Sequence, residues 1–510
     1  MSVVAGREAG SPLEGSADVV VVGSGASGAV LANELIADGR SVILVEEGPW
    51  YTPEQKLRFT VPEAMQKLFR AGGATAATGV GDTPVISNPL GWGAGGSSVL
   101  TGGVCFRTPE PVLNTWETEV GLEGFGPEGM APYFDEIERD LHVAPTPEAA
   151  LSDALKRFRG GAEALGIEML NTSRNMSGCR GASRCNFVCP VEAKHSVDRN
   201  YLPAALEGGM TLVCDALAQK LIVEGGRVVG VKGRLLAAGG KPRGRFQVRG
   251  KVVVLAMGAV HTAQFLLRND LGTGSGLVGR GMTIHPAMRS YGVFPDEVRA
   301  GRGAMQGIYS PTLADEGIHL IAIMTPPGVM GSNVPGFGPK AREYMEKRKH
   351  IMAFGAMIHD RDEGRVVDIP GREPLMYYTL GPEAKALFVR AAQVMCDIYF
   401  EAGATEVLMT MPPFERIRSR EEAARMTVET VQWKHLECGS YHPLGTVRMG
   451  SDPSASVVDS AGRVWGHDNV YVVDGGIVPT HLGVNSQVTI MAVALKLARR
   501  MRDEGDRLFA

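Results

Sequence analysis

The sequence predicts an α/β chain in which a parallel-sheet domain is interleaved with an antiparallel-sheet domain. Three observations carry this expectation. A strand–turn–helix–strand unit occupies residues 18–46. Continuous apolar runs recur at 252–260 and 470–473. Shorter strands at 319–324, 351–358 and 365–369, the last two joined by a turn at 360–364, fit an antiparallel sheet. Continuous apolar runs suit parallel strands buried on both faces, whereas a turn-linked pair suits an antiparallel sheet.

The first unit begins with Asp18 and four consecutive valines. Gly23-Ser24-Gly25-Ala26-Ser27-Gly28 follows at once, a helix is expected over 29–38, and Gly39 ends it. A second strand over 41–46 closes on Glu46. In such a unit Gly23 permits the tight turn, Gly25 lets the backbone approach a pyrophosphate, and Gly28 allows close helix–strand packing. Gly23, Gly25, Ser27 and Gly28 are therefore candidate cofactor contacts. Glu46 is a candidate acceptor for ribose hydroxyls. The fingerprint by itself fits NAD and FAD equally.

A second glycine-rich loop runs Gly91-Trp92-Gly93-Ala94-Gly95-Gly96-Ser97-Ser98. Backbone amides at Gly95, Gly96 and Ser97 suit a phosphate or a flavin edge. The strand at 252–260 leads into a helix that extends to Leu267, and Val278-Gly279-Arg280 and His285-Pro286 follow. The C-terminal region holds His442-Pro443-Leu444-Gly445-Thr446-Val447-Arg448-Met449-Gly450, then Asp474-Gly475, then Asn485.

These five elements, in this order, resemble the glucose-methanol-choline (GMC) oxidoreductases. That family carries GxGxxG with a glutamate, a GGSS loop, an AxGAxxT turn, a VGR…HP segment and HPxGTxRMG followed by asparagine or histidine. The resemblance spans about residues 18–500 and implies the GMC fold: a Rossmann-like FAD-binding domain interleaved with an antiparallel-sheet substrate domain. It implies FAD contacts at Gly23, Gly25, Gly28, Glu46, Gly96, Ser97, Asp474 and Gly475, with Ala218 near the adenine. Thr101 stands where the family usually has asparagine. The GGSS segment has no histidine, which favours dissociable FAD over a histidyl–flavin bond.

The resemblance places His442 over the flavin as general base, with Asn485 holding the substrate oxygen. The chemistry is simple: alcohol oxidation removes a hydroxyl proton and a carbon-bound hydride, and imidazole titrates in the working range. His481, His435, Glu437 and His285 are weaker candidates, and Arg448 is expected to be structural. The expected function is FAD-dependent oxidation of an apolar or bulky small-molecule alcohol, with oxygen, a quinone or a redox protein as electron acceptor. The alternative is a redox-neutral GMC flavoprotein of the lyase or photodecarboxylase type.

Cys179, Cys185 and Cys189 form C-x5-C-x3-C followed by Ala193-Lys194. Three thiolates at this spacing suit a 3Fe-4S cluster, as in bacterial FAD-dependent glucose dehydrogenases, which the spacing resembles. Reduced cysteines packing a loop near the flavin, or one disulfide, are the competing readings. Seven cysteines in a chain of 510 residues argue for a reducing compartment, and a cytoplasmic location is expected. A net charge of −4 argues against nucleic acid, and no apolar run suggests a membrane span.

The expected organisation is a loose tail at 1–16, an FAD-binding domain from 17–110, 195–290 and 440–510, and a substrate domain with connecting segments from 111–194 and 291–439. A charged, exposed stretch is expected at 340–349. Met324, Met330, Met352 and Met357 are read as core, with a flexible pocket lining as the alternative.

Overall fold

The computed structural model describes residues 2–323 and 326–509. Met324 therefore lies outside the described residues. Two sheets organise the chain.

The first is eight-stranded among the described residues. Its order is Ser2–Ala5, Thr211–Cys214, Val42–Val45, Leu13–Val22, Pro242–Leu255, Arg227–Leu236 and Ala216–Glu224, and Val470–Val472 also pairs with Pro242–Leu255. The pairs around Leu13–Val22 are parallel. Ala216–Glu224, Arg227–Leu236 and the first half of Pro242–Leu255 form an antiparallel meander. Val19 to Val22, Val42 to Val45 and Val252 to Leu255 are all buried. That burial explains why valine fills these strands: a branched side chain packs well on both faces of a covered sheet.

Residues 1–16 do not form the loose tail expected from their polarity. Ser2–Ala5 adds a parallel strand against Thr211–Cys214. Strand Leu13–Val22 starts within the supposed tail. Arg7 clamps Asp215 through Nε and Nη2 at 2.7 and 2.6 Å. The edge strand is only four residues long, and the polar residues after it lie in the turn to Leu13–Val22 or at the start of that strand.

The second sheet is thirteen-stranded among the described residues and mostly antiparallel. Its centre is Ala287–Val293 against Ile351–Ile358, which pairs in turn with Ile318–Ala322. Every residue of Ile351–Ile358 is buried, because helix Pro382–Glu401 covers this sheet. Met330 and Met352 are core, while Met357 reaches the cleft described below. The charged stretch forms helix Pro339–Glu346 and a short 3-10 turn, with only Tyr344 buried. No described helix is long and apolar enough to cross a membrane.

Phe158, on helix Asp153–Ala164, stacks on Phe354 of the second sheet with centroids 3.8 Å apart and meets Tyr399 edge-on at 5.1 Å. All three rings are buried. Phe158→Ala is expected to cost about 3–5 kcal/mol. Calorimetry checks this; a melting temperature within about 1 °C of the parent would contradict the packing argument.

Candidate active site

One cleft of about 1140 Å³ lies between the two sheets. Gly23, Gly25, Ser27, Glu46, Gly96, Ser97, Ala218, Asp474, Gly475, His442 and Asn485 all line it. Gly28 and Gly95 act from behind. A Cβ on Gly28 would sit 2.1 Å from the Gly23 carbonyl oxygen, so that glycine is a packing requirement. The Gly95 N–H donates to Ser24 Oγ at 3.2 Å.

The two glycine loops touch each other. Gly96 has φ +52, and a Cβ there would lie 2.9 Å from Gly25 Cα. A Cβ on Gly25 would meet nothing within 4 Å. One loop thus closes against the other and leaves an open backbone surface facing the cleft.

Three helices begin at this cleft. Ala26–Ala37 starts at Gly25, Ala259–Arg268 at Gly258 and Gln487–Glu504 at Ser486. None has a side-chain cap or an acidic residue in its first turn. The first N–H groups of a helix have no partner within it, and its dipole favours negative charge there. Three uncapped ends on one cleft, beside a glycine cradle, fit a dinucleotide diphosphate.

The two expected carboxylates are engaged within the protein. Glu46 accepts from Ser24 N and Oγ at 3.1 and 2.6 Å and from Gly48 N at 2.8 Å. Burial pushes its carboxyl above the usual range despite those bonds. Asp474 accepts from Gly258 N at 3.0 Å, Thr262 Oγ1 at 2.5 Å and Gly476 N at 2.7 Å. It thereby ties the second helix start to the turn Gly475–Ile477, and burial lifts it to about 6.

At the other end of the cleft, Asn485 Nδ2 donates to His442 Nε2 at 3.1 Å. An amide N–H on Nε2 puts the neutral ring's proton on Nδ1. His442 Nδ1 and Asn485 Oδ1 are buried without partners among the described residues. Burial, with a smaller contribution from His319, pulls His442 down to about 4. The ring is therefore neutral at physiological pH.

The segments that carry this pair are pinned. Leu444 and Thr283 exchange backbone bonds of 2.9 and 3.1 Å. Val447 and Met449 donate to Gly476 and Ile477 at 2.8 and 3.0 Å. His285 is a buried cleft residue at φ +51 immediately before Pro286, a strained backbone for a non-glycine residue. Its Nε2 accepts from Leu482 N and Gly483 N at 3.3 and 3.2 Å, which fixes the start of the loop carrying Asn485.

The other weaker candidates lie outside the cleft lining. His481 is half-buried, and Glu437 bonds Arg289 and Asn333 at 3.0 Å each. His435 ends a short 3-10 turn. Arg448 is a brace, bonding Gly281 O at 2.8 Å and Glu363 Oε1 at 2.5 Å.

The three-thiolate site expected for Cys179, Cys185 and Cys189 is not assembled. Among the described residues no three His, Cys, Asp or Glu side chains converge to hold a metal ion. Cys185 is turned into the core, where Arg174 Nη2 donates to its sulfur at 3.0 Å. Cys179 and Cys189 remain half-buried. What this segment brings to the cleft wall is Asn186 and Phe187, the latter stacked on Phe69 with centroids 5.8 Å apart.

The sequence reading missed two polar groups. Arg289 reaches the cleft, and its Nη2 donates to Tyr441 Oη at 2.7 Å. A lone charge inside the apolar strand Ala287–Val293 was the signal for it. Near Glu46, Glu47 is gripped by Arg70 and Arg372, and Arg70 also binds Glu373 at 3.0 Å. Burial opposes the charge on Glu47, but the two arginines outweigh it and hold the carboxyl down at about 2.

This geometry belongs to a flavin-dependent oxidoreductase, and sequence comparison identifies the family. GMC oxidoreductase profiles match residues 65–287 and 345–494, and an FAD binding domain profile matches residues 16–95. A GMC-type oxidoreductase of Mycobacterium tuberculosis is 35% identical over 494 residues, covering 96% of this chain and 76% of that protein. A long-chain-alcohol oxidase of Arabidopsis thaliana is 25% identical, covering 95% of this chain and 67% of that protein. The crystal structure of pyridoxine 4-oxidase from Mesorbium loti shares the fold, with a TM-score of 0.73 at 19% identity, over 95% of this chain and 99% of that one. The chain belongs to the GMC oxidoreductase family.

The contact between the glycine loops gives a test. Gly96→Val is expected to reduce the FAD that co-purifies to less than about half the parent's, because a side chain there must displace Gly25 from its approach to the diphosphate. The ratio of flavin to protein absorbance measures it. Parent-like loading would show that the loops do not form the cradle.

Proposed function

We propose that this protein oxidises the CH–OH group of an apolar or bulky alcohol with non-covalently bound FAD. The observation that carries this reading is the 3.1 Å contact between His442 and Asn485 inside the same cleft as the glycine cradle. Gly23, Gly25, Gly96, Ser97 and the helix start at Gly258 would hold the cofactor. When bound, FAD supplies at N5 the acceptor for the hydride leaving the alcohol carbon.

The protein's own work is proton transfer and orientation. The substrate hydroxyl enters between Asn485 and His442 and replaces their direct contact. His442 Nε2 takes the hydroxyl proton while Asn485 Nδ2 donates to the oxygen as negative charge develops on it. His285 holds the Asn485 loop in place through the N–H groups of Leu482 and Gly483. Ile321, Ile323, Met305 and Met357 supply apolar wall to the same cleft, which supports an alcohol with a sizeable apolar body. The name of the Arabidopsis relative, a long-chain-alcohol oxidase, points the same way.

His442→Ala should slow reduction of bound FAD by substrate by about 10²–10⁴-fold with FAD content unchanged. Asn485→Ala should slow the same step by about 10²-fold or more. Stopped-flow reduction under anaerobic conditions measures both, and parent-like rates in the two variants would remove the pair from the mechanism.

The pH dependence follows from the depressed His442. The base must be unprotonated, and burial holds its value at about 4. The reduction rate should therefore stay level from about pH 8 down to pH 5 and fall only below that, well under the ordinary imidazole value of about 6.5. An acid limb centred above about pH 6 would contradict a buried neutral base.

A further inference from the structure

Two cations lie buried directly behind the loop that follows the second glycine motif. Lys194 is 3% exposed and Arg174 is 1% exposed. Lys194 Nζ donates to the carbonyls of Val99 at 2.5 Å, Thr101 at 3.0 Å, Cys185 at 3.0 Å and Ser98 at 3.4 Å. Arg174 donates to the Gly102 carbonyl from Nε at 3.2 Å and Nη2 at 2.8 Å. Its Nη1 is buried with no partner.

Among the described residues neither cation is ion-paired to a carboxylate. The nearby Asp198 is committed to Lys56 and also accepts from Ser196 Oγ at 2.5 Å. Asp198 favours the Lys194 charge from a distance, but burying two cations with no bonded counter-ion is costly and calls for a physical return. Burial pulls the Lys194 ammonium down to about 8.

The return lies on the other side of the loop. In a trans peptide the N–H points opposite to the C=O. The peptides whose oxygens face Lys194 and Arg174 therefore turn their N–H groups away from the cations. Those N–H groups belong to Val99, Leu100, Gly102 and Gly103; of these residues Leu100 and Gly102 line the cleft, Leu100 as the last residue of the 3-10 turn Gly96–Leu100 and Gly102 just beyond it. The Thr101–Gly102 peptide, its oxygen held by Lys194, thus turns the Gly102 N–H toward the cleft side, and the two buried charges make this stretch of the cleft wall electropositive.

We propose that Lys194 and Arg174 are positioning residues that act through the backbone of residues 98–102 to favour the reduced, more negatively charged form of FAD. The segment between Arg174 and Lys194, which contains the three cysteines, would then tune electron uptake by charge, with no metal required. This inference rests on the FAD reading above.

The test uses the FAD-loaded full chain, reduced slowly without oxygen in the presence of a reference redox dye. At a fixed dye ratio, the ratio of reduced to oxidised FAD should fall at least about tenfold in Lys194→Met and in Arg174→Met, since each removes a unit charge from a low-dielectric setting. Lys194→Arg, which keeps the charge, should remain within about threefold of the parent. A purely structural role would lower FAD content or melting temperature but leave the ratio of the loaded fraction unmoved.

Ratios within about threefold of the parent in both loaded methionine variants overturn the proposal. If either methionine variant does not load, Lys194→Gln and Arg174→Gln decide on the same criterion. A parent that folds but takes up no FAD would defeat the cofactor reading and this inference together; a loaded parent with unmoved variants defeats this inference alone.

Discussion

Helices Ala26–Ala37, Ala259–Arg268 and Gln487–Glu504 begin at a common cleft without side-chain caps, and much of the architecture can be understood from that convergence. Each uncapped end leaves N–H groups that want an anion or water. Bringing three together is unfavourable unless something negative lies between them. The parallel strands position two of the ends: Leu13–Val22 delivers the first and Pro242–Leu255 the second. Asp474, at the end of a third parallel strand, locks the second end to the turn beside the C-terminal motif.

The contact between His442 and Asn485 depends on the same framework. His442 follows a short strand of the second sheet, while Asn485 immediately precedes the helix cap Ser486. Their meeting requires the two sheets to be held in a fixed relation. The bonds from Gly445, Val447 and Met449 N–H to the carbonyls of Gly475, Gly476 and Ile477 do this on one side, and the acceptance of Leu482 and Gly483 N–H groups by His285 does it on the other. The unfavourable backbone of His285 is consistent with that demand: strain persists where surrounding contacts over-determine a geometry.

Local chemistry was legible in the sequence, and long-range charge was not. The valine runs, the glycine spacing and the helix ends come from short stretches whose periodicity dictates their form, so the first βαβ unit emerges within a few residues of its expected bounds. The 3.1 Å contact between two residues 43 positions apart was accessible only because each sits in a recognisable motif. The links from Lys194 to residues 98–101, from Arg174 to Gly102 and from Glu47 to Arg372 leave no periodic trace. The cysteines misled for a related reason. Spacing sets how near thiols can come, but the burial of Cys185 against Arg174 decides where its sulfur points. The N-terminal strand was missed because Ser2–Ala5 is too short to show a pattern among the polar residues that follow it and is held by backbone pairing at a sheet edge.

The order in which the cleft walls occur along the chain has a consequence for biosynthesis. The first glycine loop precedes Asp474, Asn485 and helix Gln487–Glu504 by more than 440 residues. That helix packs on Ala26–Ala37, so the earliest helix waits for the latest one. A chain emerging from the ribosome can form its early strands in turn, but it cannot close the cleft until helix Gln487–Glu504 has been made. Cofactor capture therefore follows synthesis of that helix, and a chain cut before it would leave part of the apolar surface of Ala26–Ala37 uncovered.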